Sequence, residues 1–297
     1  MFRGAYTALI TPFKNGKIDF AAFESLIEHQ IKGGIDGLVP CGTTGESPTL
    51  TEAEHKEVIA FTVKTVRKRV PVIAGTGSNS TAEAIQFTQH AKQVGADAAL
   101  LICPYYNRPS QNGLRAHFLD IAEAVDIPQI LYNVPGRTGV NLNPETLAEL
   151  SRHRNIVGVK EASGNLEQMI RIKALCGNDL DLISGDDTLT LPILAVGGVG
   201  VISVTTHLIP GETSRMVHSY LEGKTEESRE LFYKYFDLVK YVMSVDVNPV
   251  GIKAALALRG LIQEEYRLPL APLSAEAKEN LRIQLDRFGL LTAGSPR

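Results

Sequence analysis

Lys160 is the residue of this chain best placed for covalent chemistry. It follows residues 156–159, Ile-Val-Gly-Val, an apolar and β-branched run that reads as a strand buried on both faces. A lysine at the mouth of such a strand is costly to keep as an ammonium. Burial therefore lowers its pKa and frees the neutral amine to attack a carbonyl carbon and form a Schiff base. Read alone, the same residue is a surface lysine at a strand end, because lysines are rarely buried. Three neighbours bear on the choice. Tyr132 closes the preceding apolar run, 129–132, and a phenol beside an imine-forming amine can carry protons to and from the carbinolamine; in isolation it is a packing tyrosine with a wet hydroxyl. Gly42-Thr43-Thr44-Gly45-Glu46 can turn backbone N–H groups towards a small anion such as a carboxylate, or serve only to join strand to helix. Arg137, in Pro135-Gly136-Arg137-Thr138-Gly139, is a guanidinium on an exposed loop, suited to bidentate capture of a carboxylate or to a surface salt bridge.

The elements that must position these groups follow from hydrophobic patterning. Eight apolar runs, at 5–10, 37–41, 70–74, 98–103, 129–132, 156–159, 180–184 and 200–204, alternate with amphipathic stretches at 20–32, 51–66, 81–94, 113–125, 144–152, 166–175, 189–196 and 212–221. Thr51 with Glu54 has capping-box spacing, Asn143-Pro144 sets a cap before a proline at the first helical position, and Gly33-Gly34, Gly95 and Gly177 mark helix ends. Strand then helix, eight times, predicts parallel strands, right-handed crossovers and closure into an α/β fold, the (β/α)8 TIM barrel, over 1–223. Beyond Gly223 the spacing predicts three helices, 226–243, 249–261 and 275–288, with no strand between them. These form a C-terminal three-helix appendage assigned to 224–297, with a tail from 292 expected to fray. In such barrels the chemistry gathers at the C-terminal strand ends, where Lys160, Tyr132 and the 42–46 turn all fall.

Bulk properties exclude several classes. The chain has 297 residues, 44% of them hydrophobic and 21% charged, as in a soluble globular protein. A net charge of -3 leaves no basic footprint for nucleic acid, and no apolar run is long enough to span a bilayer. Cys41, Cys103 and Cys176 lie far apart without a Cys-x-x-Cys pair, which argues against a disulfide framework and for a cytoplasmic, unprocessed chain. The seven histidines have no metal-ligand spacing, and no Gly-x-Ser-x-Gly or Walker loop occurs, so no metal and no cofactor is expected. Asp186-Asp187 reads as paired acids, magnesium ligands or a helix cap.

Seven stretches taken in order resemble the pyruvate-dependent class I aldolase and lyase family over about residues 2–290. They are Gly42-Thr43-Thr44-Gly45-Glu46-Ser47, Val72-Ile73-Ala74-Gly75-Thr76-Gly77, Pro104-Tyr105-Tyr106-Asn107, Tyr132-Asn133-Val134-Pro135, Arg137-Thr138-Gly139, Lys160-Glu161 and Ser184-Gly185-Asp186-Asp187. The closest likeness is to the branch that condenses pyruvate with L-aspartate 4-semialdehyde, giving 4-hydroxy-tetrahydrodipicolinate on the diaminopimelate route to L-lysine. The resemblance implies that Lys160 forms the Schiff base and that Thr44, Tyr132 and Tyr106 relay protons, with Tyr106 reaching a neighbouring subunit's site in a homotetramer built as a dimer of dimers. It further implies that Thr43 and Thr44 hold the pyruvate carboxylate, that Arg137 holds that of the semialdehyde, and that Gly185 and Ile202 line the site. A regulatory L-lysine site is implied in part. Ser47, His55, Asn79, Glu83 and Tyr105 match it, whereas Pro48 replaces a usual small residue and Glu52 stands where lysine-inhibited bacterial members have histidine. The rival readings are a sibling lyase acting on N-acetylneuraminate or 2-keto-3-deoxy sugar acids, and a catalytically silent barrel used for binding. The Arg-Thr-Gly setting of Arg137 speaks against the first, and the presence of Lys160, Tyr132 and Thr44 together against the second.

Overall fold

Eight short parallel strands lie within the predicted runs or overlap their ends. They are β1 (Gly4–Ala8), β2 (Gly37–Val39), β3 (Ile73–Gly75), β4 (Ala98–Ile102), β5 (Gln129–Asn133), β6 (Ile156–Glu161), β7 (Asp181–Ser184) and β8 (Gly200–Ser203). The computed structural model describes residues 2–291, and the tail expected to fray, 292–297, lies outside them. The strands pair in the order β2-β1-β8-β7-β6-β5-β4-β3. The two ends meet through a single bridge, Leu38 to Val72, and through Gly75 N–H donating to Pro40 O at 2.9 Å. The barrel is thus nearly closed. β3 begins three residues later than the run from 70 predicts, because Pro71 has no N–H to give to a ladder.

Helices α1 (Phe20–Lys32), α2 (Glu52–Val66), α3 (Thr81–Val94), α4 (Gln111–Ala124), α5 (Pro144–Leu150), α6 (Leu166–Cys176), α7 (Thr190–Ala195) and α8 (Pro210–Leu221) separate the strands and continue past the last. The Thr51 capping box forms, with Thr51 Oγ1 accepting from Glu54 N–H at 3.2 Å and Glu54 Oε2 accepting from Thr51 N–H at 2.9 Å. Asn143 makes no side-chain cap; its Oδ1 accepts from Asn141 instead. α4 starts two residues earlier than patterning predicts, capped by Ser110. No helix among the described residues is long and apolar enough to cross a membrane.

Alternation along the strands sorts side chains between two cores. Ile130, Tyr132, Ile183 and Ile202 point into the barrel, whereas Leu131, Val159 and Leu182 pack outward against α4, α5 and α6. Lys160, between Val159 and Glu161, therefore faces inward.

Three helices follow the barrel: α9 (Thr225–Ser244), α10 (Val250–Leu258) and α11 (Ala275–Arg287). They share one apolar cluster with Ile10, Leu26, Val204 and Leu208, so they pack against the barrel wall near α1 and β8. A buried ion pair reinforces this contact. Lys253 of α10 and Glu46 of the loop after β2 are fully buried and hydrogen-bonded to each other. The Lys253 ammonium lies 4.4 Å from the Phe13 ring centroid and 5.3 Å from that of Tyr266, and Glu46 also accepts from Arg267 N–H at 3.3 Å. Phe13 comes from a small unpredicted hairpin, Phe13–Lys14 with Lys17–Ile18. Lys253→Ala leaves the Glu46 carboxylate buried without its partner and is expected to destabilise the fold by about 3–5 kcal/mol. Denaturant unfolding measures this, and an unmoved midpoint would contradict a structural role for the pair.

Candidate active site

The β5 and β6 register places Tyr132 directly beside Lys160. Both side chains point into the barrel, only 7% and 6% exposed, and the Lys160 amine lies 4.3 Å from the Tyr132 ring centroid. Burial lowers the Lys160 pKa to about 8; the Asp187 carboxylate opposes the shift and the Arg137 guanidinium reinforces it. Half the amine is then neutral near pH 8, where an exposed lysine is roughly 0.4% neutral. Burial raises the Tyr132 phenol above its usual range, against the lowering influence of Arg137 and a Thr43 hydrogen bond. The phenol therefore holds its proton at neutral pH and can donate it.

The other predicted residues differ in their relation to this pair. Gly185 is pressed against the lysine: a Cβ there would sit 3.0 Å from Lys160 Cε and 2.9 Å from Ala162 Cβ, so a side chain would displace the amine. Ile202 lies inside the barrel, fully buried. Thr44 is buried, and its Oγ1 accepts from Asn248 Nδ2 at 2.9 Å. Arg137 sits not on an open loop but on a single helical turn, Pro135–Thr138, closed by Gly139 N–H donating to Pro135 O at 2.9 Å. Its exposed guanidinium donates to Asn248 O at 3.4 Å. Tyr106 stands apart, 90% exposed and at φ +71°.

The adjacent aspartates separate. Asp186 caps the 3-10 turn Asp187–Leu189, accepting from Thr188 N–H and Oγ1 at 2.9 and 2.8 Å. Asp187 is instead a buried tie between strand ends, accepting from the Ser203 hydroxyl, Thr205 Oγ1 at 2.7 Å and Val204 N–H at 3.1 Å. Burial holds its pKa above the usual carboxylate range despite those bonds.

A cavity of about 370 Å³ runs from Thr43, Tyr132 and Arg137 to a wall made of Ser47, Pro48, Glu52, His55, Glu83 and Tyr105. The His55 ring stacks on Phe87 at 4.2 Å, its Nε2 is 2.8 Å from Gly75 O, and burial lowers its pKa, so it is a neutral ring. Glu83 accepts from the Ser78 hydroxyl. Glu52 forms an ion pair with Lys56 at 2.5 Å. Asn79 accepts through its backbone carbonyl from Asn107 Nδ2 at 2.8 Å.

Sequence reasoning missed Asn248 and the Glu46–Lys253 pair. Both lie in or against the C-terminal helices, where neither strand-end position nor spacing points to the barrel mouth. It also missed Glu161, which turns outward and is fully buried. That carboxylate accepts from Asn133 Nδ2 at 3.0 Å, Gln168 Nε2 at 3.2 Å and Ser163 N–H at 2.7 Å. A buried polar partner for Glu161 was readable in principle from β6 parity, since Asn133 is its register partner.

The model of the Dihydrodipicolinate synthetase family matches residues 1–287. The chain belongs to that family. It is 57% identical over 291 residues to the 4-hydroxy-tetrahydrodipicolinate synthase of Citrifermentans bemidjiense, covering 98% of this chain and all of that one. Among solved structures it is similar to dihydrodipicolinate synthase from Aquifex aeolicus, with a TM-score of 0.97, 44% identity and coverage of 99% and 100% of the two chains. It is also similar to the enzyme from Cyanidioschyzon merolae with lysine bound, with a TM-score of 0.94, 44% identity and coverage of 98% and 99%. Dihydrodipicolinate synthetase family membership thus extends over the barrel and the helices that follow it.

The Lys160 environment makes its reactivity pH-dependent near neutrality. Trapping by borohydride in the presence of pyruvate should accelerate as pH rises and level off above about 8, the sign required when only the neutral amine attacks. A rate still climbing tenfold per pH unit beyond 9 would mean that the amine is not desolvated.

Proposed function

We propose that this chain condenses pyruvate with L-aspartate 4-semialdehyde to give 4-hydroxy-tetrahydrodipicolinate, in the diaminopimelate route to L-lysine. The observation that carries the reading is a buried, weakly basic lysine amine against a phenol inside a barrel of this family. The Lys160 amine attacks the pyruvate ketone carbon, and Tyr132 protonates the departing oxygen as water leaves the carbinolamine. Loss of a methyl proton from the iminium gives an enamine, whose carbon attacks the semialdehyde's aldehyde carbon. The semialdehyde's own amine then adds to the iminium carbon and expels Lys160, which closes the ring and restores the enzyme.

Thr43 and Thr44 would hold the pyruvate carboxylate, with Gly185 and Ile202 shaping the wall beside the imine. Thr44 and Tyr132 pass protons on to Tyr106. The exposure of Tyr106, 90% in one chain, supports its use by a neighbouring subunit, and with it a homotetramer built as a dimer of dimers. The same reading places the enzyme in the cytoplasm, where its three free, buried thiols stay reduced.

Arg137 favours the semialdehyde over the sugar aldehydes of sibling lyases, because a guanidinium at the rim matches a second carboxylate. The kcat/KM with L-aspartate 4-semialdehyde is expected to exceed that with N-acetylmannosamine or glyceraldehyde, each with pyruvate. Arg137→Ala should lower it roughly 10- to 150-fold, the value of one charge-assisted contact, while leaving pyruvate trapping intact. A sugar aldehyde used better than the semialdehyde would move the activity to the sibling lyases.

L-Lysine is proposed as an inhibitor acting in the outer part of the cavity. The Glu83 carboxylate there would meet the ligand's α-amino group, with Ser47, His55 and Tyr105 lining the same cavity and Asn79, the fifth residue of the expected set, outside its lining; a relative of this family has lysine bound. Turnover should fall at millimolar L-lysine and Glu83→Ala should abolish that fall; unchanged turnover in the parent at those concentrations would refute the site.

A further inference from the structure

We propose that Asn248 is a positioning residue that sets the direction of the Thr44 hydroxyl proton, and so the polarity of the proton relay. The inference rests on the relay role proposed for Thr44 above. Asn248 lies 204 residues from Thr44 in sequence, just ahead of α10, yet its Nδ2 donates to Thr44 Oγ1 at 2.9 Å. An amide nitrogen carries only donors, and a threonine hydroxyl has one hydrogen to give. With one lone pair engaged by Asn248, Thr44 must direct its hydrogen to some other acceptor. A free threonine would rotate among several partners; this one is polarised before substrate arrives.

The contact is held from both sides. Glu46, two residues past Thr44, is bound in the fully buried ion pair to Lys253, which lies in the first turn of α10, shortly after Asn248. That pair fixes the loop after β2 against the start of α10 and leaves Asn248 little freedom to withdraw. Asn248 also reaches the second substrate's side of the site, since its backbone oxygen accepts from Arg137 Nη2 at 3.4 Å. One residue therefore touches both the relay threonine and the rim guanidinium, while contributing no group that reacts. Its Oδ1 is buried and has no hydrogen-bond partner among the described residues.

A double-mutant cycle separates this role from general packing. Asn248→Ala should lower kcat about 10- to 100-fold, at or below the lower end of what one positioned proton transfer contributes because the Thr44 hydroxyl itself remains, with KM for pyruvate changed less than about twofold and borohydride trapping of pyruvate retained. Asn248→Asp, nearly isosteric but an acceptor only, draws the Thr44 hydrogen to itself and should be slower still. In a Thr44→Val background, which has no hydroxyl to orient, Asn248→Ala should cost less than about twofold more, because residues in one network are not additive. If Asn248→Ala fails to fold by its melting curve, the Asp variant carries the same comparison. Additive losses in a slowed Thr44→Val background, or an Asn248→Asp variant as fast as the parent, would overturn the role of Asn248 alone. A Thr44→Val variant with full turnover would overturn the relay reading and this inference together.

Discussion

Everything at the barrel mouth depends on the pairing of β5 with β6. Strand side chains alternate between faces, so the register that sets Tyr132 beside Lys160 also sets Asn133 beside Glu161 on the opposite face. A slip of one residue would turn the carboxylate inward and the amine outward, and the proposed chemistry would lose its amine while the fold class survived. Both pairs reinforce the correct register. Inside, the amine lies over the phenol; outside, Glu161 is bound by Asn133, Gln168 and a backbone N–H. The outward carboxylate is thus a support for the inward amine, although it never approaches the reacting atoms.

Burial sets the electronic state of the pair. Water is excluded from Lys160 more than opposite charge is supplied to it. Asp187, the carboxylate that would favour an ammonium, already accepts from Ser203, Val204 and Thr205. Those bonds tie β7 to β8 and moderate the field at the amine at the same time. Gly185 completes the arrangement by leaving room for the lysine chain.

The eightfold alternation was legible because the strands fall in short apolar runs and the helices in amphipathic stretches between them, and the Thr51 capping box was legible because its two partners are three residues apart. Placing Lys160 and Tyr132 together needed only the rule that consecutive barrel strands are neighbours. Arg137 was legible as a rim residue, but the single helical turn beneath it was not, because four residues are too few for a period to show. Asp187 looked like its neighbour Asp186, and only the fold distinguishes a capping carboxylate from a buried one. Asn248, Lys253 and Arg267 carry no local signal at all. Their partners are more than 200 residues away, and a helix patterned for a core says nothing about which loop it will meet.

The seam of the barrel has a consequence for how an active molecule comes into being on the ribosome. β2 and β3 share one bridge, whereas β5 and β6 share a full ladder, and the threonine loop springs from the thinly laced strand. That loop is tied to the stretch just past β1 by the Thr11 hydroxyl donating to Gly45 O at 2.7 Å, and it is held further by Asn248, Lys253 and Arg267. Synthesis runs from the N-terminus, so all eight strands emerge before any of these three residues. A nascent or truncated chain ending after α8 has its lysine and phenol but no clasp on Thr44. Completeness of the polypeptide is thereby read out at the candidate active site itself, by residues that arrive last.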